Sequence, residues 1–162
     1  MNRRISNKEY RMMKWAKTIL IVLIGVMISG CQQAGVVDGD LWTEDYDAAL
    51  ERAAAENKHL LVDFSGSDWC GWCIRLESEV FSKAEFINYA KENLVLVMVD
   101  FPNSKPQSAE QRAANDALAK KYGIQGFPTV LILNSQGEVV ERTGYQRGGP
   151  EGYVEMIKSA VK

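Results

Sequence analysis

Histidine is almost absent from this 162-residue sequence: His59 is the only one. A zinc site built on two cysteines needs two further ligands. One histidine at the start of an apolar run does not supply them; it reads as a surface residue at a strand entrance, and no metal is expected. Cysteine is also scarce. Three are present, Cys31, Cys70 and Cys73, too few for a structural disulfide framework. Internal repeats and low-complexity tracts are missing, which excludes solenoids and disordered arrays. The apolar run Ile19 to Ile28 has about half the ~20 residues that a membrane-spanning helix requires. Basic charge is missing as well once the first thirty residues are set aside: residues 31–162 carry 13 Lys/Arg against 20 Asp/Glu, a net of −7. A domain this acidic is a poor partner for phosphate backbones, so nucleic acid is not an expected partner.

What is present begins at the N-terminus. Arg3, Arg4, Lys8, Arg11, Lys14 and Lys17 precede the Ile19–Ile28 run, the layout of a secretory signal peptide. Met12-Met13-Lys14 would open a more usual signal than Met1, so the true start is left open between Met1, Met12 and Met13. Ile28-Ser29-Gly30-Cys31 resembles a bacterial lipobox. That resemblance implies cleavage before Cys31 and a lipid on Cys31, against the plainer reading of an uncleaved anchor with an incidental cysteine. The expected organisation is a signal peptide at 1–30, a lipidated cysteine and linker at 31–42, and one domain at 43–162. The implied location is the bacterial envelope, lipid-anchored and facing the periplasm or the outside of the cytoplasmic membrane. Several acyl chains would hold it there firmly.

Periodicity organises the rest. Thr43 offers a helix N-cap, and Tyr46, Ala49, Leu50 and Ala53 repeat at helical spacing to about Glu56. Leu60 to Phe64 reads as a buried strand. A helix is expected from Cys70 to about Glu79, and Ser82 is placed to cap another. Leu94 to Val99 is nearly continuous in apolar residues, as in a strand covered on both faces. Ser108 to Tyr122 reads as a helix ended by Gly123. Thr129–Leu133 and Glu138–Thr143 form a hairpin across Asn134 to Gly137, and Pro150 opens a last helix. The order implies an α/β sandwich: a central mixed sheet of about four strands with helices on both faces. Strand 60–64 lies centrally, with 94–99 on one side and 129–133 then 138–143 on the other. Trp42, Tyr46 and Tyr145 read as packing residues, and Asp68 as a solvated loop acid with pKa tuning as the alternative.

The chemistry is concentrated in Trp69-Cys70-Gly71-Trp72-Cys73. Two cysteines three positions apart at the head of a helix lie within one turn, close enough to form a reversible disulfide. Free N–H groups and the helix dipole at that end favour thiolate, and the thiolate is the species that attacks a disulfide.

These residues, with Val62-Asp63-Phe64, Tyr122-Gly123-Ile124-Gln125-Gly126-Phe127-Pro128-Thr129 and Gly137-Glu138, resemble the thioredoxin superfamily over roughly residues 43–162. Gly66-Ser67-Asp68-Trp69-Cys70 is closest to thioredoxin-like proteins of bacterial envelopes. The resemblance implies a thioredoxin-like fold and a thiol–disulfide oxidoreductase whose cofactor is nothing more than its own Cys70–Cys73 disulfide. It implies Cys70 as the attacking thiol, Cys73 as the resolving thiol, and Asp63 as a buried acid of raised pKa acting on Cys73. Trp69, Gly71 and Trp72 would shape the substrate groove. Pro128 would be a cis-proline, leaving the backbone of Phe127 to pair with a substrate strand.

Two departures stand out. The loop from Asp63 to Cys70 is one residue longer than in cytosolic thioredoxins, and the strand 94–99 lacks the lysine that accompanies their buried acid. Trp72 occupies the place where strongly oxidising relatives carry a histidine, which implies a more reducing pair. Protein or peptide disulfides are the expected substrates, a membrane thiol-transfer protein the expected electron donor, and a monomer the expected state. The alternatives are a disulfide oxidase or isomerase, or a non-catalytic thioredoxin-like adaptor.

Overall fold

Two seven-residue apolar strands lie at the centre of the protein. The structure, a computed structural model, describes residues 41–162; the expected signal peptide, the expected lipidation site Cys31 and most of the expected linker lie outside the described residues. Strand β2 (His59–Ser65) and strand β3 (Leu94–Asp100) pair in parallel along their whole length, from His59 opposite Leu94 to Ser65 opposite Asp100. On the other side of β2, β4 (Thr129–Leu133) runs antiparallel, with Phe64 opposite Thr129 and Leu60 opposite Leu133. The turn at Asn134–Gly137 then returns the chain as β5 (Val139–Thr143). The central position of β2 and the flanking order are those expected.

The sheet has five strands rather than about four. Trp42–Thr43 forms a short β1, parallel to β3 with Trp42 opposite Leu96, giving the order β1-β3-β2-β4-β5. Two residues are too few for alternation to register in a sequence. What places them is packing, since the Trp42 ring lies 5.1 Å from Phe81.

Period-two alternation sends successive side chains to opposite faces. Leu61, Leu96 and Ile132 point to one face, and Val62, Phe64, Val97 and Leu131 to the other. Helices α1 (Tyr46–Glu56) and α4 (Ala109–Tyr122) cover the second face, with Tyr46, Ala49, Ala53 and Leu118 in contact. Helix α2 (Gly71–Leu76), α3 (Ala84–Asn93) and α5 (Gly149–Ala160) cover the first. Phe81 is the hub of that layer, with Phe86 at 4.8 Å and Tyr153 at 5.8 Å. Truncating such a buried ring costs about 3–5 kcal/mol. Among the described residues no helix is long and apolar enough to cross a membrane.

Helix ends follow local chemistry with three corrections. Asp45, not Thr43, caps α1 by accepting the Ala48 N–H, while the Thr43 hydroxyl accepts the Asp45 N–H. Ser108, where the helix was expected to begin, is the N-cap of α4, its hydroxyl accepting the Gln111 N–H, and Gly123 ends the helix as expected, in the left-handed region at φ 60°. The cysteine helix does not run unbroken to Glu79. It passes at Glu77 into a π-helical turn, Glu77–Phe81. In such a turn residues five apart align rather than four, and that phase buries both Leu76 and Phe81. Ser82 therefore closes this turn, donating to the Ser78 carbonyl, and Lys83 stands at the head of α3.

Candidate active site

Strand β2 carries Asp63 on the same face as Leu61, towards α2 and α5, and then delivers the chain into the loop before the cysteines. That loop is tight: the N–H groups of Trp69 and Cys70 both donate to the Gly66 carbonyl, at 3.2 and 2.8 Å. The Trp69 indole lies against Gly66, where a Cβ would stand 2.5 Å from the ring. Its Nε1–H donates to the Phe101 carbonyl at 2.8 Å. Phe101 stacks on Phe127 at 5.0 Å, and Trp69 meets Phe127 edge-on at 6.0 Å. The Phe127–Pro128 bond is cis, as expected, and both residues lie before the β4 ladder begins at Thr129. Three distant segments thus converge on one aromatic cluster beside Cys70.

Cys70 and Cys73 are bridged, with Cα atoms 5.2 Å apart. Cys70 is the N-cap of α2, and the Cys73 N–H points at its Sγ from 3.3 Å. A donor so placed stabilises a thiolate on Cys70 when the pair is reduced. Both cysteines are buried, Cys73 at 4% exposure and Cys70 at 7%.

Asp63 is fully enclosed, and its Oδ1 has no hydrogen-bond partner among the described residues. Burial pushes its pKa up to about 8, and the negative charges of Glu77 and Asp100 add to the shift. Its cross-strand neighbours are Met98 and Val130, so the strand that would have supplied a lysine supplies a thioether. Glu77 lies at the surface, yet its carboxyl is itself pushed up by partial withdrawal from water. Glu77 was not singled out from the sequence. The available signal was its spacing, four residues after Cys73 on one helical face.

Asp68 is more than a solvated loop acid. Its carboxylate accepts the N–H groups of Asn103, Ser104 and Lys105 at 2.9, 2.6 and 3.1 Å, and these hold its pKa below the usual carboxylate range. Beside it, Ser67 donates through both N–H and Oγ to the buried Asp100, at 2.9 and 2.6 Å. The pair clasps loop 101–107 to the loop that carries the cysteines.

Trp42 packs as expected, Tyr46 packs and also shares a hydrogen bond with the Tyr122 hydroxyl, and Tyr145 does more than pack. Its ring lies 5.1 Å from Trp72, and its hydroxyl donates to Glu79 at 2.6 Å. Nothing in the sequence connects a tyrosine beyond the last strand with Trp72; the fold alone brings them together. Gly71 has open space around its Cα. His59 opens β2 as expected. Among the described residues no group of three His, Cys, Asp or Glu side chains is placed to hold a metal.

Comparison with known proteins gives consistent relatives. The sequence pattern of the thioredoxin-like domain family matches residues 46–158. The disulfide bond reductase DsbH of Chlamydia pneumoniae is 36% identical over 131 residues, covering 81% of this chain and 79% of that protein. The thioredoxin-related protein DsbJ of the same organism is 31% identical over 134 residues, 82% of this chain but 38% of its own length. A solved structure described as a DsbH oxidoreductase superposes with a TM-score of 0.69 at 38% identity, over 72% of this chain and 81% of that one.

Proposed function

Because the chain belongs to the thioredoxin-like family, we propose that it is a thiol–disulfide oxidoreductase that works as a reductase of protein or peptide disulfides through Cys70 and Cys73. The observation that carries this reading is the bridged pair at the head of α2, with the Cys73 N–H aimed at the Cys70 sulfur. The relative of similar length named a disulfide bond reductase supports the direction.

In the reaction, the Cys70 thiolate attacks one sulfur of the substrate disulfide. That bond breaks and one substrate thiol leaves, forming a mixed disulfide on Cys70. The Cys73 thiolate then attacks the Cys70 sulfur and releases the second thiol, so the substrate gains two electrons and the protein closes its own disulfide. Asp63 serves as the proton acceptor for Cys73: an acid with a pKa of about 8 holds and releases protons near neutral pH. The backbone of Phe127, outside the β4 ladder, pairs with an extended substrate segment. Trp69, Gly71 and Trp72 line the groove. Trp72 supplies no positive charge to stabilise the reduced form, which favours a reducing potential.

The bacterial Dsb relatives support a place in the cell envelope, and the lipobox-like Ile28–Cys31 segment supports attachment through a lipid on Cys31. Since the envelope outside the cytoplasm is kept oxidising, a membrane thiol-transfer protein is the source of electrons.

Two measurements test this reading. A reduction potential of the Cys70–Cys73 pair near about −270 mV is expected of a reductase, and a value of about −120 to −180 mV would mean an oxidase or isomerase. In cells, Cys73→Ser accumulates mixed disulfides on Cys70, whereas Cys70→Ser captures none. An adaptor without turnover would keep its partners in both.

A further inference from the structure

Large apolar side chains left in water are few, and they are not scattered. Among the described residues five are exposed: Trp69 at 48%, Trp72 at 53%, Ile74 at 49%, and Val139 and Val140 on the edge strand β5. The first three lie within four positions of Cys70. Ile74 is four residues beyond Cys70 and so shares its helical face. An apolar collar of this kind on an otherwise charged surface marks a contact site. Any substrate joined to the Cys70 sulfur must cross it.

One side of the collar is built and held. The Arg75 guanidinium lies 5.6 Å from the Trp72 ring and 5.4 Å from the Tyr145 ring. Glu79, carried on the π-helical turn, accepts from Arg75 Nε at 2.6 Å and from the Tyr145 hydroxyl at 2.6 Å. The Arg75–Glu79 pair is exposed, and such a pair adds little to stability by itself. What it does accomplish is to fix two aromatic rings before any partner arrives, and a preordered surface loses less entropy on binding.

We propose that Trp72 and Tyr145, held by Arg75 and Glu79, form the specificity-determining wall of the substrate groove. The partner they fit is a disulfide in an extended segment with aromatic or large aliphatic side chains beside its cysteine. This rests on the reductase reading above and adds the class of substrate. Tyr145 touches the substrate flank, not the reacting sulfurs. Glu79 acts through it and is a positioning residue.

The test uses the reduced protein and two symmetrical peptide disulfides, each a short extended peptide with a central cysteine. One carries Phe on both sides of the cysteine, the other Ser. Single-turnover reduction is followed by tryptophan fluorescence, so no electron donor is needed. The reduced protein is expected to prefer the Phe peptide by about tenfold in second-order rate constant, the scale of burying part of one aromatic side chain. Tyr145→Ala reduces that preference to about threefold or less, and Tyr145→Phe, which keeps the ring, retains more of it. Glu79→Gln lies between, because the amide oxygen still accepts the tyrosine hydroxyl. Trp72 is exposed, so Trp72→Ala gives an independent reading should Tyr145→Ala fold poorly.

A preference near one in the unmodified protein overturns the proposal. So does a preference that survives both alanine changes. Self-association that disappears in Trp72→Ala also overturns it, since the collar would then be covered by a second copy of the chain. Failure to reduce either peptide, with the Cys70–Cys73 pair reduced at the start, would instead overturn the reductase reading and this inference with it.

Discussion

Replacing Asp63 by asparagine isolates the energetic consequence of burying an acid under a redox helix. The unfolded carboxyl ionises near 3.8, while the folded one keeps its proton up to about 8. Between those values the native state binds more protons than the unfolded state, so stability falls as pH rises and levels off above about 8. Each pH unit in that window costs the native state about 1.4 kcal/mol. From pH 4 to pH 7 the loss is on the order of 4 kcal/mol. Asparagine has no such dependence, but its amide also lacks partners at this site, a penalty of about 1–3 kcal/mol that does not vary with pH. Asp63→Asn is therefore expected to be less stable than the parent at pH 4, more stable at pH 7, and to gain about 4 kcal/mol relative to it across that range. Urea unfolding of both proteins with the Cys70–Cys73 disulfide intact, at pH 4, 5.5, 7 and 8.5, reads the difference directly, because other titrations cancel. A stability difference constant to within about 0.5 kcal/mol over that range would refute the reasoning, since Asp63 would then be ionising normally. The same change should slow release of the substrate from the mixed disulfide by about tenfold or more at neutral pH. A stabilised variant that is also slower would mean that the buried acid is kept for chemistry at the expense of stability.

Three further changes probe the surroundings of the pair. Trp72→His places a titratable cation before Cys73 and should raise the reduction potential by about 30 mV or more, the equivalent of 1.4 kcal/mol in favour of the reduced form; an unchanged potential in glutathione equilibration would refute the role given to Trp72. Gly66→Ala cannot be accommodated while Trp69 stays in place, because the added Cβ would stand 2.5 Å from the indole. The ring must leave Phe127 and lose its hydrogen bond to the Phe101 carbonyl, costing about 1–3 kcal/mol with a shifted tryptophan emission, and a parent-like spectrum and melting temperature would contradict it. Asp68→Asn removes the carboxylate that gathers three loop amides, so hydrogen exchange at Asn103, Ser104 and Lys105 should accelerate at pH 7. In the parent the same protection is present above the ordinary carboxylate pKa and fades as pH falls through the lowered value of Asp68; exchange indifferent to both the substitution and the pH would show the clasp to be unimportant.

The legible parts of this protein were those governed by short-range rules. Strands β2, β3 and β4 declared themselves as apolar runs bounded by turn residues, and helices α1 and α4 by their spacing and, for α4, by Gly123. The cysteine pair declared itself by a three-residue spacing at a helix head. Where local rules were weak or balanced, reading failed. Thr43 and Asp45 are both competent caps, and only the pairing of Trp42–Thr43 with β3 decides between them. The π-helical turn at Glu77–Phe81 has no local signal, because it arises from the demand that Leu76 and Phe81 be buried together.

By itself, the sequence determined the main strands and helices and the cysteine pair at a helix head, since spacing, periodicity and helix-end chemistry act over a few residues and survive in any context; the family was legible through the resemblance of its motifs, Trp69 to Cys73 and Gly126 to Thr129 among them. Only the tertiary structure decided what surrounds those sulfurs. It enclosed Asp63 within reach of the negative charges of Glu77 and Asp100, turned Asp68 into a clasp for loop 101–107, and set Tyr145 against Trp72. Each of these joins residues far apart in the chain. Their energies depend on distance and exclusion of water, quantities that exist only once the sheet and its helices have closed around them.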